Sequence, residues 1–239
     1  MHIHDDDGTG WVTDYLGIHD RGYRRLREEG EDGWSELRDV ERIVSIVDGA
    51  VRRHGMTLPG RMLEMGCGDG RIALGLAGKG FGVAGIDISP AAIDWAREKA
   101  AGAGVDADFR EGSVTDLPYP DGSFDLVVDG HCLHCVIGGD REAFLSEAFR
   151  VLRPRGLLVV VSMCNDPTDG TMIEHFDPVS RNVIVKGVAG RHFGRPEDIL
   201  EEVRGSGFEI TGWWIDPADG PDRQDDIVIE AVRPSGRAT

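Results

Sequence analysis

The spacing of hydrophobic positions predicts two helices in the first 57 residues. In the first, roughly one helical face carries Tyr15, His19, Tyr23 and Leu26. The second begins near Asp39 and ends at Gly55, and its apolar positions repeat at helical spacing: Val40, Ile43, Val44, Val47 and Val51. Residues 1–10, with three successive aspartates, favour a disordered end. Residues 1–57 are therefore predicted to form an N-terminal extension and helical lid.

From residue 58 onward, short apolar runs alternate with helical patterns. The runs predict seven strands, at residues 61–65, 82–86, 105–111, 124–128, 157–161, 208–215 and 226–232. Ser89 and Pro90 are typical of a helix start, and further helices begin near Asp140 and Pro196. This alternation is typical of an α/β fold with helices on both faces of a mostly parallel sheet. The last two strands lack a helix between them, so one strand near the edge is expected to run antiparallel.

A glycine-rich turn follows the first of these strands. Gly66, Gly68 and Gly70 occupy alternate positions, where the backbone can turn tightly and a ligand can approach it closely. The second strand ends at Asp87, and a carboxylate at that place can accept hydrogen bonds from both hydroxyls of a ribose. Because no lysine follows the glycines, a triphosphate-binding loop is disfavoured, and the G-x-G-x-G spacing also disfavours a dinucleotide site.

Several motifs occur in the order found in class I S-adenosylmethionine (SAM)-dependent methyltransferases. The chain resembles this family in its residues 64–70 (EMGCGDG), 86–89 (IDIS), 112–118 (GSVTDLP), 121–128 (DGSFDLVV), 133–134 (LH) and 150–157 (RVLRPRGL). The resemblance covers about residues 58–233. It implies a Rossmann-like doubly wound seven-stranded sheet, with SAM as cofactor and S-adenosyl-L-homocysteine (SAH) as product.

The resemblance also implies the cofactor-binding residues. Glu64 and the carbonyls around Gly66 and Gly130 would hold the methionine end, Asp87 the ribose, and Ile88 and Val114 the adenine. Ser113 stands where the family often has an acid. The full predicted set is Glu64, Gly66, Cys67, Gly68, Asp87, Ile88, Ser113, Val114 and Gly130.

Methyl transfer from a sulfonium is an in-line displacement, so alignment of the reactants and exclusion of water supply most of the catalysis. A base is needed where the nucleophile carries a proton. The candidates lie just beyond the fourth strand, at the sheet edge where α/β proteins bind ligands: Asp129, His131 and His134. A neutral histidine suits proton transfer near pH 7.

Three alternatives to a general small-molecule methyltransferase stay open. One is a module without enzymatic activity that binds SAM or a partner. Another is an enzyme on the same fold that uses SAM for chemistry other than methylation. The third is a methyltransferase for a thiophilic metalloid, in which Cys132, Cys135 and Cys164 converge. No second C-x-x-C is present, and the N-terminal cysteine of the arsenite enzymes is absent, so no metal site is predicted.

The segment 164–194 is predicted to be a long insertion that roofs the substrate pocket together with residues 11–26. The net charge of −17 argues against nucleic acid and an anionic membrane as partners. No apolar run is long enough to span a membrane, and the start does not resemble a signal peptide. A cytoplasmic enzyme with a small-molecule acceptor is expected, and its oligomeric state is left open.

Overall fold

The structure of the protein is a computed structural model that describes residues 10–218, 220 and 223–236. The disordered end predicted for residues 1–10 lies, except for Gly10, outside the described residues. In chain order the elements are β1 (Val12–Thr13), α1 (Tyr15–Glu29), α2 (Leu37–Arg53), β2 (Gly60–Met65), α3 (Arg71–Ala77), β3 (Phe81–Asp87), α4 (Pro90–Ala103), β4 (Ala107–Glu111), β5 (Phe124–Gly130), a 3₁₀ helix (Leu133–Cys135), α5 (Asp140–Val151), β6 (Leu152–Met163), α6 (Gly170–Glu174), β7 (Phe176–Asp177), β8 (Asn182–Val185), β9 (Val188–His192), α7 (Pro196–Gly205), β10 (Glu209–Asp216) and β11 (Asp226–Val232).

The central sheet has seven strands in the order β10-β11-β6-β5-β2-β3-β4. Strand β11 pairs antiparallel with both neighbours, and the other pairings in the sheet are parallel. The predicted doubly wound seven-stranded sheet with one antiparallel strand is confirmed, and that strand lies second from the edge. Strand β2 lies between β3 and β5. The glycine-rich turn that follows β2 therefore lies where the carboxyl ends of these three strands meet.

The two faces of the sheet build two separate cores, as β6 shows. Leu158 and Val160 pack on the side of α5 and α7, with Phe144 and Ile199. Val159 packs instead on the side of α2, α3 and α4. Successive strand residues point to opposite faces, so the continuous apolar run of β6 is what a strand covered on both sides requires.

Helix α4 begins as the sequence predicts. The Ser89 side chain accepts a hydrogen bond from the Ala92 backbone N–H, and Pro90 is the first helical residue. Helices α5 and α7 also begin where the sequence predicts, at Asp140 and Pro196, and Gly139 is the N-cap of α5. Among the described residues, no helix is both long and apolar enough to cross a membrane.

A second, four-stranded sheet joins the lid to the roof segment, in the order β1-β9-β8-β7. Strand β1 pairs parallel with β9, and Val12 lies opposite Val188. The sequence indicates a long loop in this segment, whereas the structure has three short strands and α6 there. Strands of two to five residues are too short to show a clear alternation. The domain division at residue 57 stays a prediction, and the lid and the roof share this small sheet.

Candidate active site

A cavity of about 700 Å³ opens at the carboxyl ends of β2, β3 and β5. All nine residues that the resemblance implies for cofactor binding line it. Its other walls come from the lid, the roof and the loop before β11, so segments from the whole length of the chain enclose it.

The glycine-rich turn takes a backbone conformation that other residues rarely adopt. The φ angles of Gly66, Gly68 and Gly70 are 68°, 52° and 77°. A Cβ atom on Gly70 would lie 2.6 Å from the Phe109 ring. Alanine at this position would therefore suffer both backbone strain and a steric clash.

Asp87 is bound to this turn through its buried carboxylate. One oxygen accepts a hydrogen bond from the Gly68 N–H and the other from the Ser89 N–H, both at 2.9 Å. Burial raises the pKa of Asp87 above its ordinary value, although both backbone donors favour the charged form. The carboxylate lines the cavity and retains lone pairs for further donors.

Glu64, near the end of β2, is a second buried carboxyl group that contacts the backbone of the site. Its Oε2 accepts a hydrogen bond from the Ala73 N–H at 2.9 Å, and burial raises its pKa well above the ordinary range. A Cβ atom on Gly130 would lie 3.5 Å from Glu64 Oε1 and 2.6 Å from Ile72 Cδ1. The glycine thus leaves room beside a carboxyl oxygen that faces the cavity.

His131 lines the cavity from a left-handed backbone position, with φ of 73°. Its Nε2 lies 2.8 Å from Asp226 Oδ2, and the Arg42 guanidinium donates to the same oxygen at 2.6 Å. Burial lowers the pKa of His131, but the hydrogen bond and the charge of Asp226 outweigh it and raise this pKa above its ordinary value.

The other two predicted catalytic residues have different surroundings. The Asp129 carboxylate does not line the cavity. It accepts hydrogen bonds from the N–H groups of Cys132 at 2.8 Å and Leu133 at 2.9 Å. Burial raises the pKa of Asp129 to about 6. His134 lines the cavity, 5.4 Å from His131 between ring centroids. Burial lowers the pKa of His134 to about 4, so the ring is neutral at pH 7.

The structure does not bring the three thiols of the metalloid alternative together. Cys132 and Cys135 line the cavity, whereas Cys164 lies outside it and donates through Sγ to the Asp225 carbonyl at 3.5 Å. Within residues 10–218, 220 and 223–236, no group of three or more His, Cys, Asp or Glu side chains is placed to hold a metal ion.

Comparison with known proteins identifies the family. The methyltransferase domain family matches residues 63–160. Demethylmenaquinone methyltransferase from Deinococcus radiodurans is 30% identical over 187 residues, which are 66% of this chain and 75% of that protein. The chain belongs to the class I SAM-dependent methyltransferases.

Two further proteins are similar to this methyltransferase. Ajmaline N-methyltransferase from Rauvolfia serpentina is 37% identical over 107 residues, which are 44% of this chain and 36% of that protein. The chain therefore spans about a third of the length of that relative. A SAM-dependent methyltransferase structure from Methanosarcina mazei superimposes with a TM-score of 0.67 at 25% identity, covering 77% of this chain and 97% of that one.

The cofactor of this methyltransferase is SAM, and the cavity fits it. The glycine turn leaves the backbone uncovered, and Asp87 presents a buried carboxylate to the cavity where a ribose would need acceptors. Ile88 and Val114 line the cavity beside it. Ser113 already accepts a hydrogen bond from the Thr115 N–H and contacts the Thr115 hydroxyl at 2.7 Å.

The lid and the roof contribute residues to the site of the methyltransferase. Tyr15, His19 and Tyr23 of the predicted helical face line the cavity, while Leu26 does not. Sequence reasoning did not single out Arg42, Asp226 or Arg191, which also line it. These three carry no local motif, since each reaches the cavity only through the packing of distant segments.

Proposed function

We propose that this methyltransferase methylates a small-molecule acceptor in the cavity, with His131 as general base. The contact between His131 and Asp226 carries the proposal. It places a titratable ring in the cavity wall and orients the ring through a buried carboxylate.

Residues of three strand ends would hold the cofactor, which when bound supplies a methyl group on a positively charged sulfur. Asp87 would accept hydrogen bonds from the ribose hydroxyls. Glu64, with the backbone at Gly66 and Gly130, would hold the amino-acid end, and Ile88 and Val114 would flank the adenine. The Gly68 N–H donates to Asp87, and this hydrogen bond holds the glycine-rich turn beside the carboxylate that would bind the ribose.

Proton removal is best assigned to His131 among the three predicted candidates. Asp226 accepts the hydrogen bond from Nε2, which leaves Nδ1 as the ring atom that takes up a proton from the acceptor. His134 has a pKa of about 4 and is a weaker base. Asp129 holds the backbone of the 3₁₀ helix, so we propose it as a positioning residue.

Three observations favour a small molecule as acceptor. The cavity of about 700 Å³ is covered in part by the lid and the roof, and its size suits a small molecule. The net charge of −17 opposes nucleic acid. The relatives from Deinococcus radiodurans and Rauvolfia serpentina are named for methylation of demethylmenaquinone and ajmaline, which are small molecules.

The cofactor site is tested by calorimetric titration with SAM and SAH. We expect micromolar binding by the wild type and a loss of at least about 10-fold in Asp87→Ala. Asp108→Ala is the matched control, because Asp108 lies on the neighbouring β4 and contacts the exposed Arg110. A folded wild-type protein that binds neither compound would overturn the proposal.

The reaction is tested by screening acceptors with SAM and following SAH by mass spectrometry. Formation of SAH together with a methylated acceptor is expected. A cofactor product other than SAH would instead establish the non-methylating alternative. In His131→Gln, turnover of an acceptor with an ionisable proton should fall by ~10²–10⁴-fold.

A further inference from the structure

Arg191, in strand β9 of the roof, lines the cavity without an acidic partner in the part of the chain that the structure describes. Its hydrogen bond there runs from Nη1 to the Gly190 carbonyl at 2.8 Å. The guanidinium group has five N–H donors, so several of them remain available to a ligand in the cavity.

The other arginines of the cavity wall differ from Arg191, since each contacts a carboxylate. The pairs are Arg38 with Glu36, Arg42 with Asp216 and Asp226, Arg71 with Asp69, and Arg223 with Asp39. Acidic residues outnumber basic ones in this chain, 43 to 26, so partners are plentiful. A partly desolvated cation without a partner is costly unless an anion binds to it.

Strand β9 carries Arg191 to the acceptor side of the cavity. The strand contacts the 3₁₀ helix that contains His134 and Cys135, and a Cβ atom on Gly190 would lie 3.3 Å from Ile18 of the lid. Burial alone would raise the pKa of Cys135, but the charge of Arg191 and the interaction with the His134 side chain outweigh burial and lower this pKa to about 7. The guanidinium charge therefore reaches the segment next to His131.

We propose that Arg191 binds an anionic oxygen group of the methyl acceptor, such as a carboxylate. This inference rests on the proposed function, because it assigns the charge of that acceptor. A guanidinium can donate two parallel hydrogen bonds to a carboxylate, which holds the acceptor in one orientation. Acceptors with an acidic group are therefore preferred over their neutral analogues.

The first test uses Cys135 as a reporter and needs no known acceptor. Iodoacetate and iodoacetamide have nearly the same size, but only iodoacetate carries a carboxylate. The rates at which they alkylate Cys135 are measured by peptide mass spectrometry at pH 7.5, and their ratio cancels any change in the thiolate fraction. In Arg191→Gln the iodoacetate-to-iodoacetamide ratio should fall by about 5-fold or more.

Arg38→Gln is the matched control, since it removes the same charge from a paired position in the same cavity. Its rate ratio should equal that of the wild type. An equal ratio in Arg191→Gln and wild type would overturn the proposal. If neither reagent reaches the buried Cys135, the binding comparison described next decides.

The second test measures binding to the SAH complex by NMR, with benzoate and benzamide, salicylate and salicylamide, and 4-hydroxybenzoate and 4-hydroxybenzamide. We expect at least one acid to bind more tightly than its amide, and this preference to disappear in Arg191→Gln but not in Arg38→Gln. The absence of an acid preference in every pair would contradict the proposal.

Calorimetry with SAH separates the acceptor from the cofactor as the source of the anion. Arg191→Gln should bind SAH within about 2-fold of the wild type. A loss of 10-fold or more would assign Arg191 to the amino-acid carboxylate of the cofactor and overturn the proposal. If the wild type binds no SAM or SAH, the proposed function fails, while the alkylation ratio still reports on Arg191.

Discussion

His131 Nε2 lies 2.8 Å from Asp226 Oδ2, although 95 positions separate the two residues in the chain. His131 follows the end of β5, and Asp226 is the first residue of β11. Parallel strands all end at the same edge of a sheet. Strand β11 runs the other way, so its first residue lies at that edge, opposite Met163 at the end of β6. The antiparallel strand therefore delivers a carboxylate to the candidate active site.

Replacing Asp226 by asparagine should lower the pKa of His131. The hydrogen bond and the charge of Asp226 hold this pKa above its ordinary value, and burial opposes them. Without the charge, the ring loses its proton at a lower pH. NMR titration of the His131 ring should show this shift, and the acidic limb of the pH profile of kcat/KM should move to lower pH with it.

Asp216→Asn is the control for this measurement, because Asp216 contacts Arg42 and leaves the contact between His131 and Asp226 in place. An unchanged titration of His131 in Asp226→Asn would show that the contact has no electrostatic effect. A shifted titration with an unshifted kcat/KM profile would argue against His131 as the base.

His134 should make the protein less stable at acidic pH. Its folded pKa of about 4 lies below the ordinary value of 6.5, so the unfolded chain binds the proton more tightly. This contribution to stability is complete above about pH 6.5 and is lost as the pH falls towards 4. It amounts to roughly 3 kcal/mol. Urea unfolding of wild type and His134→Gln between pH 4 and 7 measures it.

Burial raises the pKa of Asp129 to about 6. The contribution of Asp129 to stability therefore changes with pH in the opposite direction to that of His134, over much of the same pH range. The folded state then binds the proton more tightly, and this contribution is lost as the pH rises through 6. His134→Gln should therefore gain stability on acidification relative to wild type. His175→Gln, outside the cavity, serves as control, and parallel pH profiles for wild type and His134→Gln would contradict the assignment.

Tyr15→Phe should destabilise the attachment of the lid. The Tyr15 hydroxyl donates to Asp140 Oδ2 at 2.9 Å and accepts from the Ile137 N–H at 3.0 Å. The variant leaves that N–H without its acceptor, which costs ~1–3 kcal/mol. The measurement is the free energy of unfolding in urea.

Tyr119→Phe is a matched control for the loss of a hydroxyl. The Tyr119 hydroxyl is buried and has no hydrogen-bond partner among the described residues. Its removal should change the free energy of unfolding by less than about 0.5 kcal/mol, or increase it. Equal losses in the two variants would show that the contacts of Tyr15 are not responsible.

Arg141→Met should weaken the fold and loosen the 3₁₀ helix. Buried Arg141 donates to Glu202 at 2.8 and 2.6 Å and to the Leu133 carbonyl at 2.7 Å. Its removal takes both of these donors from the half-buried Glu202 carboxylate and leaves the Leu133 carbonyl with the Val136 N–H alone, at a cost of about 1–3 kcal/mol. Arg153→Met removes an exposed contact with Asp125 and should cost at most about 1 kcal/mol. Thermal unfolding of both variants provides the comparison.

Local patterns in the sequence determined the central sheet and the part of the cavity wall where the cofactor is predicted to bind. The apolar run of β6, the glycines after β2 and Asp87 at the end of β3 lie within short stretches of chain, where periodicity and turn chemistry act directly. The nine predicted cofactor residues reach one cavity because the carboxyl ends of neighbouring parallel strands meet at one edge.

Only the tertiary structure revealed the part of the cavity wall where we propose that the acceptor binds. Strand β1 has two residues and finds its partner β9 in the roof, so no local alternation could reveal the small sheet. Asp226, Arg42 and Arg191 meet the cavity from an antiparallel strand, a lid helix and a roof strand. Their roles depend on charges and hydrogen bonds between segments far apart in the chain, and the spacing of residues along a sequence does not encode those contacts.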